Sequence, residues 1–428
     1  MGSASGMIGR WAVVTSLSLI MSAAAAPADI TTERSASILI FPKLVFDSTG
    51  LQTGTPVDTI VQISNTGNQM VFAHCFYVNA APPDPTRPPS PTNVPFWQEV
   101  DFDIFLTKQQ PTHWLLSSGR QNNPGDRACS STIVCQPMPV CVGGADDGMV
   151  CPNGQGDCQS PGVCTHKESG SLNADCCDAG FDPGRIPPAG NDPFTGELKC
   201  IEVDSSGAPI NGNHLKGEAT IVTTDGRAEV SEYNAIGVLG LNTDLSSNDS
   251  DNTLCLGGGV RPGCRSGAEY NGCPQTVILN HFAEGATDPV VEALGNGTSS
   301  VSTELTLVPC TEDFENQAPP SVVVQFLITN ELEETFSTST TVTCWGNFRL
   351  NAIGNVGRIF EVGALRTRFA QTRMSPAADD QPGFIGVVEE FHTQPTASTP
   401  ITSRAALNLH GEGARPNGDI ILLPGAFF

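Results

Sequence analysis

The sequence predicts an all-β protein made of two antiparallel β-sandwich domains, with a disulfide-rich, loop-rich insertion in the first. Three observations support this prediction. The chain of 428 residues contains 44 Gly and 33 Pro, and both residue types destabilise helix interiors. Short runs of alternating or β-branched residues recur along the chain, and turn residues separate them. Nine of the fifteen Cys lie between residues 129 and 200, among Gly, Pro, Asp and Asn.

The charge balance limits the classes of partner. The chain carries 21 Lys and Arg against 45 Asp and Glu, which gives a formal net charge of −24. Because phosphate binding needs clustered basic side chains, this balance argues against nucleic acid as a partner. Hydrophobic residues make up 39% of the chain, which is typical of a folded protein and unlike a disordered polyanion.

Residues 1–25 have the features of a secretory signal peptide. Arg10 supplies the positive charge, Trp11–Met21 forms the apolar segment, and Ala23–Ala25 supplies the small residues of a cleavage site. No later segment contains 18 consecutive apolar residues, so the sequence predicts no transmembrane helix after the signal is removed. We therefore expect a protein that is secreted, held at the cell surface, or periplasmic.

The first predicted domain covers residues 26–300. An apolar strand at Ser37–Phe46 begins it, and Pro42 suits a bent or edge strand. Asp58–Ser64 and Met70–Val78 flank the turn residues 65–68, and this pattern predicts a β-hairpin. Two irregular stretches interrupt the domain, a Cys-rich insertion at 126–195 and a Cys-bearing loop at 242–273. Further strands are predicted at 101–107, 196–203, 217–223, 233–239 and 276–279.

The second predicted domain covers residues 301–428. Its strand signals lie at 303–309, 322–330, 340–345, 359–364, 384–389, 405–410 and 419–423. A weak internal repeat relates the two domains. In each, a β-branched strand with a central Gln (Gln62 or Gln325) leads to an Asn turn, and the next strand ends in Cys and an aromatic residue. A general likeness among β-hairpins is the alternative explanation of the repeat.

One segment of the first domain resembles a known fold family. Val61–Asn68, with its Asn-Thr-Gly-Asn turn and the apolar strand after it, resembles the strand–turn–strand signature of bacterial immunoglobulin-like domains. The later run Phe102–Thr107, followed by Trp114, is similar to the next strand of such domains. The whole chain also resembles uncharacterised exported bacterial proteins. The resemblance implies immunoglobulin-like sandwiches and carries no activity with it.

Disulfides are the expected state of the cysteines. No Cys-x-x-Cys pair occurs, which argues against zinc ribbons, thioredoxin-type motifs and iron–sulfur clusters. We expect Cys75 to pair with Cys200 and Cys310 with Cys344, because all four lie in strand-like runs. Because the total is odd, at least one thiol is free or pairs between molecules, and the candidates are Cys255, Cys264 and Cys273. Eight further cysteines are expected to pair among themselves: Cys129, Cys135, Cys141, Cys151, Cys158, Cys164, Cys176 and Cys177.

Catalytic and cofactor-binding motifs are absent from the sequence. The seven His are scattered singly, and neither a His-Glu-x-x-His motif, a Gly-x-Ser-x-Gly elbow nor a phosphate-binding loop is present. Two acidic clusters are weak candidates for a structural Ca²⁺, with a solvated acidic loop as the alternative. Their members are Asp244, Asp249 and Asp251 in one turn, and Glu331, Glu333 and Glu334 in the other. Beyond this calcium we expect no cofactor.

Two functions remain open at the level of sequence. The first is an exported, non-enzymatic structural, adhesive or binding protein of the cell exterior, whose partner is a protein or a glycan. The alternative is an extracellular polysaccharide hydrolase that uses a pair of carboxylates. The hydrolase requires two close carboxylates in a cleft and an exposed Trp for sugar stacking, and Trp97 is the candidate.

Overall fold

The computed structural model of the protein describes most of the chain after the expected signal peptide. The described residues are 30–84, 93, 95–121, 140–142, 163–165, 183–205, 207–226, 229–241, 252–258, 264, 267–293, 299–354, 358–394 and 401–425. Within them, helix is confined to the short segments Pro289–Ala293 and Val362–Leu365 and a 3₁₀ turn at Leu350–Ala352. None of these described helices has the length and apolar character needed to cross a membrane.

The expected pair of immunoglobulin-like sandwich domains is wrong. The chain is all-β, as predicted, but its strands form five small sheets arranged as a five-bladed β-propeller. The described strand ladders are antiparallel except for one short parallel ladder, in which Glu312–Asp313 pairs with Ile421–Leu422. The alternation of apolar residues tells which side of a strand is buried but does not tell which strands pair, and for this reason the sequence pattern did not distinguish the two architectures.

Sheets 1 and 2 come from the first part of the chain. Sheet 1 has six strands, in the order β1 (Ile30–Thr31), β12 (Ile236–Val238), β2 (Ile38–Phe46), β9 (Phe194–Val203), β4 (Val71–Asn79) and β5 (Gln98–Leu106). Sheet 2 has four strands, in the order β11 (Val230–Asn234), β10 (Leu215–Thr223), β3 (Val57–Asn65) and β6 (Pro111–Leu115). A further pair, β7 (Val140–Val142) and β8 (Val163–Thr165), lies within the predicted Cys-rich insertion.

The other three sheets use the later part of the chain. Sheet 3 contains β13 (Thr253–Leu256), β24 (Asp419–Leu422) and β16 (Glu312–Asp313). Sheet 4 contains β18 (Thr335–Thr343), β17 (Ser321–Asn330), β20 (Phe369–Pro376), β14 (Pro274–Phe282) and β23 (His410–Ala414). Sheet 5 contains β19 (Gly346–Arg349), β15 (Ser300–Pro309), β21 (Phe384–Gln394) and β22 (Ile401–Asn408). In sheet 3, a strand from the predicted loop 242–273 thus pairs with the last strand of the described chain.

The predicted hairpin around residues 65–68 is also wrong. β3 pairs with β10 and β6 in sheet 2, whereas β4 pairs with β5 and β9 in sheet 1. The side chain of Asn65 explains the difference. Its amide donates to the carbonyls of Gln69 and Thr107, at 2.6 and 2.9 Å, and its Oδ1 accepts from the backbone of Gly67. These bonds stabilise a turn that passes from one sheet to the other.

The corresponding segment in the second half does form a hairpin. β17 and β18 pair over their whole length, from Ser321 with Thr343 to Thr329 with Thr335. The weak internal repeat therefore does not extend to strand pairing. One further strand prediction, at residues 359–364, fails because the short helix Val362–Leu365 begins there.

Three apolar cores hold neighbouring sheets together. The first lies between sheets 1 and 2, where the indole N–H of Trp114 donates to the hydroxyl of Tyr77. The second joins sheets 1 and 3, where Phe76 and Phe314 stack with ring centroids 4.3 Å apart. The third lies between sheets 4 and 5 around Phe326. Aliphatic side chains make up most of each core, and the aromatic rings among them each bury a large apolar area.

Three disulfides occur among the described residues. Cys75 pairs with Cys200, which lies directly opposite it on the neighbouring strand. Cys255 pairs with Cys264, and Cys273 pairs with Cys310. The last two bonds contradict both the expected Cys310–Cys344 pair and the expectation that Cys255, Cys264 or Cys273 is free.

Cys344 carries the free, buried thiol among the described cysteines. It follows β18 in sheet 4, whereas Cys310 follows β15 in sheet 5, so their strands are not neighbours. Burial raises the pKa of the Cys344 thiol well above its usual value, and the nearby acids Glu312 and Glu197 add to this effect. Of the eight cysteines expected to pair in the insertion, Cys141 and Cys164 occupy opposite positions of β7 and β8. The other six lie outside the described residues.

A buried ion cluster connects sheet 1 to sheet 3. The ammonium of Lys199 on β9 lies 2.7 Å from Glu197 on the same strand and 2.7 Å from Glu312 on β16, and all three side chains are fully buried. Burial lowers the pKa of Lys199, but the two carboxylates raise it by more. Burial raises the pKa of Glu312 well above its usual value, although Lys199 opposes the effect. Each charge therefore depends on the others for compensation.

We predict that Lys199→Met reduces the free energy of unfolding by about 3–5 kcal/mol, because it leaves two buried carboxyl groups without their cation. Urea unfolding of the oxidised protein measures the effect. Lys216→Met is the matched control on the partly exposed strand β10, and we expect it to change stability by less than about 0.5 kcal/mol. Equal effects of the two substitutions would contradict the assignment.

Candidate functional site

A polar groove lies on the outer face of sheet 2. Its volume is about 390 Å³, within the usual range of small-ligand sites. Strands β3, β6 and β10 supply its walls. The residues that line it are Gln62, Ser64, Thr66, Pro111, Thr112, His113, Lys216, Gly217 and Glu218. We call this set the polar groove.

Strand register brings the groove residues together. Gln62 on the central strand β3 lies opposite His113 of β6 on one side and Glu218 of β10 on the other. Ser64, two residues further along β3, lies between Pro111 and Lys216 in the same way. Since residues two apart on a strand share a face, these two rows point to the same side of the sheet. The alternation of β3 and β10 thus buries one face and leaves a polar one.

Hydrogen-bonding groups of several kinds meet in the groove. Hydroxyls, a carboxamide, an imidazole, one ammonium and one carboxylate are all present. The ammonium of Lys216 donates to the backbone carbonyl of Glu33 at 3.2 Å, which fixes its position at the groove edge. The Cβ of an Ala at Gly217 would lie 2.6 Å from Phe41 Cζ, so this position keeps the strand close to the core beneath. With one positive and one negative side chain, the groove suits a neutral, polar ligand.

An apolar row borders the polar groove on the same face. Leu115 of β6 is 40% exposed and lies directly opposite Ile60 of β3, in the row next to that of Gln62. Val230 of β11 is 47% exposed and lies one row further along the sheet. The outer face of sheet 2 thus places hydrogen-bonding groups beside an apolar strip. Sugar rings present the same two kinds of surface, polar hydroxyl groups and apolar C–H faces.

The features expected of a hydrolase do not meet in the polar groove. Glu218 is the one carboxylate that lines it, whereas acid-pair hydrolysis needs two. The Trp97 side chain is half-buried and packs against the second core, so it does not form the expected sugar platform. The Trp345 side chain also packs there, and its indole N–H donates to the carbonyl of Pro42 at 2.7 Å.

A second group of acids lies on strands β4 and β5 of sheet 1. His74 Nδ1 lies 2.7 Å from a carboxylate oxygen of Asp103, and its Nε2 lies 3.7 Å from Asp101. Glu99 precedes Asp101 by two residues on β5 and so shares its face. Burial, with a further contribution from the charge of Asp101, raises the pKa of Glu99 from 4.5 to about 7. One face of β5 therefore carries two acidic side chains, and the pKa of Glu99 is raised.

The described structure does not bring the calcium candidates together into a group of metal ligands. Glu333 and Glu334 lie in the turn between β17 and β18, where Glu334 pairs with Arg366 and accepts from the Asn330 amide. Glu331 accepts hydrogen bonds from the backbones of Arg368 and Phe369. These carboxylates stabilise the hairpin turn and do not converge. The other candidates, Asp244, Asp249 and Asp251, lie outside the described residues.

One close group of metal-ligand types occurs in the described part of the chain. It consists of Cys273, Cys310 and Asp419, all buried. Because the two cysteines are joined in a disulfide, they lack the thiolates that a metal ion would need. Asp419 instead accepts from the hydroxyl of Thr311 at 2.9 Å and from the backbone of Gly383 at 2.8 Å.

Sequence reasoning missed the polar groove. The sequence predicts strands at residues 58–64 and 217–223, and His113 is one of the seven scattered histidines. The groove depends on β3 lying between β6 and β10, and no local pattern carries that pairing. A search for polar residues at alternate positions would have found the face but not its neighbours.

Comparisons with known proteins do not extend this description. No protein family matches the sequence. No curated protein matches it. Among solved structures, the chain has 9% identity to a Cowpea mosaic virus top component, the naturally occurring empty particle, over 92% of each chain with a TM-score of 0.16. It has 9% identity to the enterotoxigenic E. coli adhesin CfaE over 89% of this chain and 90% of that chain, with a TM-score of 0.10.

We predict that Glu99→Gln stabilises the protein at pH 8 by about 1–2 °C in melting temperature and leaves it unchanged at pH 4. A raised pKa means that folded Glu99 keeps its proton after the unfolded chain has lost it. Its contribution to stability therefore falls as pH rises from 4.5 to about 7. Thermal unfolding across this range measures the difference. Glu232→Gln, an exposed glutamate on β11, is the control, and the same pH trend in both variants would contradict the prediction.

Proposed function

We propose that the protein is an exported, non-enzymatic binding protein of the cell exterior and that it binds a glycan in the polar groove. The observation that carries the proposal is the arrangement of Gln62, His113 and Glu218 in one cross-strand row beside an apolar strip. Carboxamide, imidazole and carboxylate groups on adjacent strands can hydrogen-bond several sugar hydroxyls at once. The apolar strip can cover the C–H face of a sugar ring.

Charge and covalent framework support the same proposal. The acidic chain disfavours anionic polymers, whereas a neutral glycan brings no charge to be repelled. The disulfides Cys75–Cys200, Cys255–Cys264 and Cys273–Cys310 are compatible with an oxidising location outside the cytoplasm. Rigid strands, rather than loops, supply most groove residues, and this pre-organisation reduces the entropy lost on binding.

We expect the purified protein to bind one or more neutral oligosaccharides on a glycan array, with the affinity then measured by calorimetry. Gln62→Ala combined with His113→Ala should weaken binding at least about tenfold, because two polar contacts in the central row are lost. Gln325→Ala, an exposed glutamine on β17 of sheet 4, should leave the affinity unchanged. Thermal unfolding checks that all three proteins are folded.

The absence of binding to every glycan on the array would refute the proposal. Binding that survives the double substitution would refute the assignment of the ligand to the polar groove. Loss of binding in the Gln325→Ala control as well would also count against the groove, because that substitution lies on a different sheet.

One observation favours the second candidate, a polysaccharide hydrolase. Glu99, with its pKa raised to about 7, and Asp101 supply a proton donor and a carboxylate on the same strand, next to His74. Release of reducing ends from soluble polysaccharides would detect this activity. For this candidate we expect Glu99→Gln to remove the activity and Glu232→Gln to retain it. A wild-type protein without reducing-end release on any polysaccharide would exclude the candidate.

A further inference from the structure

The buried side chain of Lys43 reaches from sheet 1 to sheet 5. Lys43 belongs to β2, where the ladder with β9 shifts its register between Phe41 and Leu44. Pro42 has no N–H to donate to the ladder, and a bulge of this kind re-aims the residue beside it. The hydroxyl of Tyr233 binds both the N–H and the carbonyl of Lys43, at 3.1 and 2.6 Å, and so stabilises the displaced backbone.

Three acceptors surround the Lys43 ammonium in sheet 5. Its Nζ lies 2.6 Å from Glu304 Oε2 on β15 and 2.6 Å from Glu389 Oε2 on β21. It also lies 3.3 Å from the carboxamide oxygen of Asn347 on β19. The Lys43 and Glu389 side chains are exposed by only 4% and 1%, so the contact is largely shielded from water.

The Asn347 carboxamide is held in place for reaction. The Thr306 hydroxyl, itself fully buried, donates to Asn347 Oδ1 at 2.7 Å. This bond and the contact with Lys43 fix the orientation of the amide group. A hydroxyl aimed at the carbonyl oxygen also stabilises negative charge that develops there when a nucleophile adds to the carbon.

The two glutamates have different surroundings. Burial alone would raise the pKa of Glu389, but Lys43 and Arg404 lower it to about 2, and the Ser231 hydroxyl donates to it at 2.6 Å. Glu389 therefore remains a carboxylate that holds the amine in position. Glu304 lies at the edge of the cluster, with its side chain 21% exposed, and contacts the ammonium directly. Burial lowers the pKa of Lys43, but Glu304 and Glu389 raise it by more, so the amine needs an adjacent base before it can react.

We propose that Lys43 and Asn347 form an intramolecular isopeptide bond that covalently links β2 of sheet 1 to β19 of sheet 5. Glu304 accepts a proton from the Lys43 ammonium, and the neutral Nζ attacks the Asn347 side-chain carbon. The new C–N bond forms as Oδ1 takes up negative charge beside Thr306. The carbonyl then re-forms as the bond to Nδ2 breaks and Glu304 gives its proton to Nδ2, so that ammonia leaves. The ammonia takes up the second proton, which Nζ releases as the secondary amide forms. The ammonium cation and the carboxamide thus become a secondary amide and an ammonium ion, with no oxidant or reductant.

This cross-link is independent of the polar groove and of its ligand. It would close a loop across a sequence separation of 304 residues. Restriction of the unfolded chain in this way stabilises a protein, as disulfides do. Unlike a disulfide, the amide would persist under reducing conditions.

Peptide mass spectrometry of the reduced, alkylated and digested wild-type protein tests the proposal. We expect a branched peptide that joins Lys43 to Asn347 and is lighter than its two linear parts by one ammonia. Asn347→Ala should give only linear peptides, and in a denaturing gel under reducing conditions its mobility should differ from that of the looped wild-type chain. Lys43→Arg keeps the charge that compensates both glutamates and should likewise give only linear peptides.

Two further variants assign the chemistry. Glu304→Gln should slow formation of the branched peptide at least about tenfold, because the proton acceptor is lost. Thr306→Val should slow it as well, because the oxyanion loses its hydroxyl donor. Recovery of wild-type Lys43 and Asn347 only in linear peptides would overturn the proposal. An unchanged rate in Glu304→Gln would overturn the role given to Glu304.

Discussion

Two buried lysines connect the sheets of this protein, and the rest of the structure depends on their compensation. Lys199 of sheet 1 forms an ion pair with Glu312 of sheet 3. Lys43 of sheet 1 forms ion pairs with Glu304 and Glu389 of sheet 5. In a low-dielectric interior, an ammonium without these carboxylates would be costly, so the sheets can dock only in the arrangement that brings the partners together. Apolar packing alone is less selective, because similar β-branched faces fit each other in several ways.

The same constraint explains how an acidic protein maintains closely packed sheets. The chain has a large excess of carboxylates over basic groups. Most acidic side chains in the described ion pairs contact a single basic group. At the junctions, by contrast, each buried lysine serves two glutamates. The acids that would repel each other between sheets are thereby used as ligands for a shared cation. The polar groove is on the opposite, solvent-facing side of sheet 2, where such compensation is not needed.

Local pattern predicted much of the secondary structure. The strands β2, β3, β4, β9 and β10 lie within one to three residues of the predicted segments, because alternation or a continuous apolar run marks them clearly. The failures have specific causes. Asn65 makes side-chain bonds that redirect the chain from one sheet to another, so an apparent hairpin turn separates β3 from β4. Cys310 bonds to Cys273 and not to Cys344, because a strand-like pattern around each cysteine does not show which segments of different sheets meet.

The candidate sites show the same division between local and tertiary information. Glu331 and Glu334 are close in sequence, yet the Glu331 carboxylate accepts from the backbone of Arg368 whereas the Glu334 carboxylate pairs with Arg366. Gln62, His113 and Glu218 are distant in sequence, yet strand register makes them neighbours. The sequence by itself determined that the protein is all-β and acidic and that it lacks familiar catalytic motifs, because composition and periodicity are properties of short segments. Only the tertiary structure decided the five-bladed arrangement, the partners of Cys255, Cys273 and Cys310, and the groove, because long-range strand pairing and the compensation of buried charges join residues that no local pattern relates.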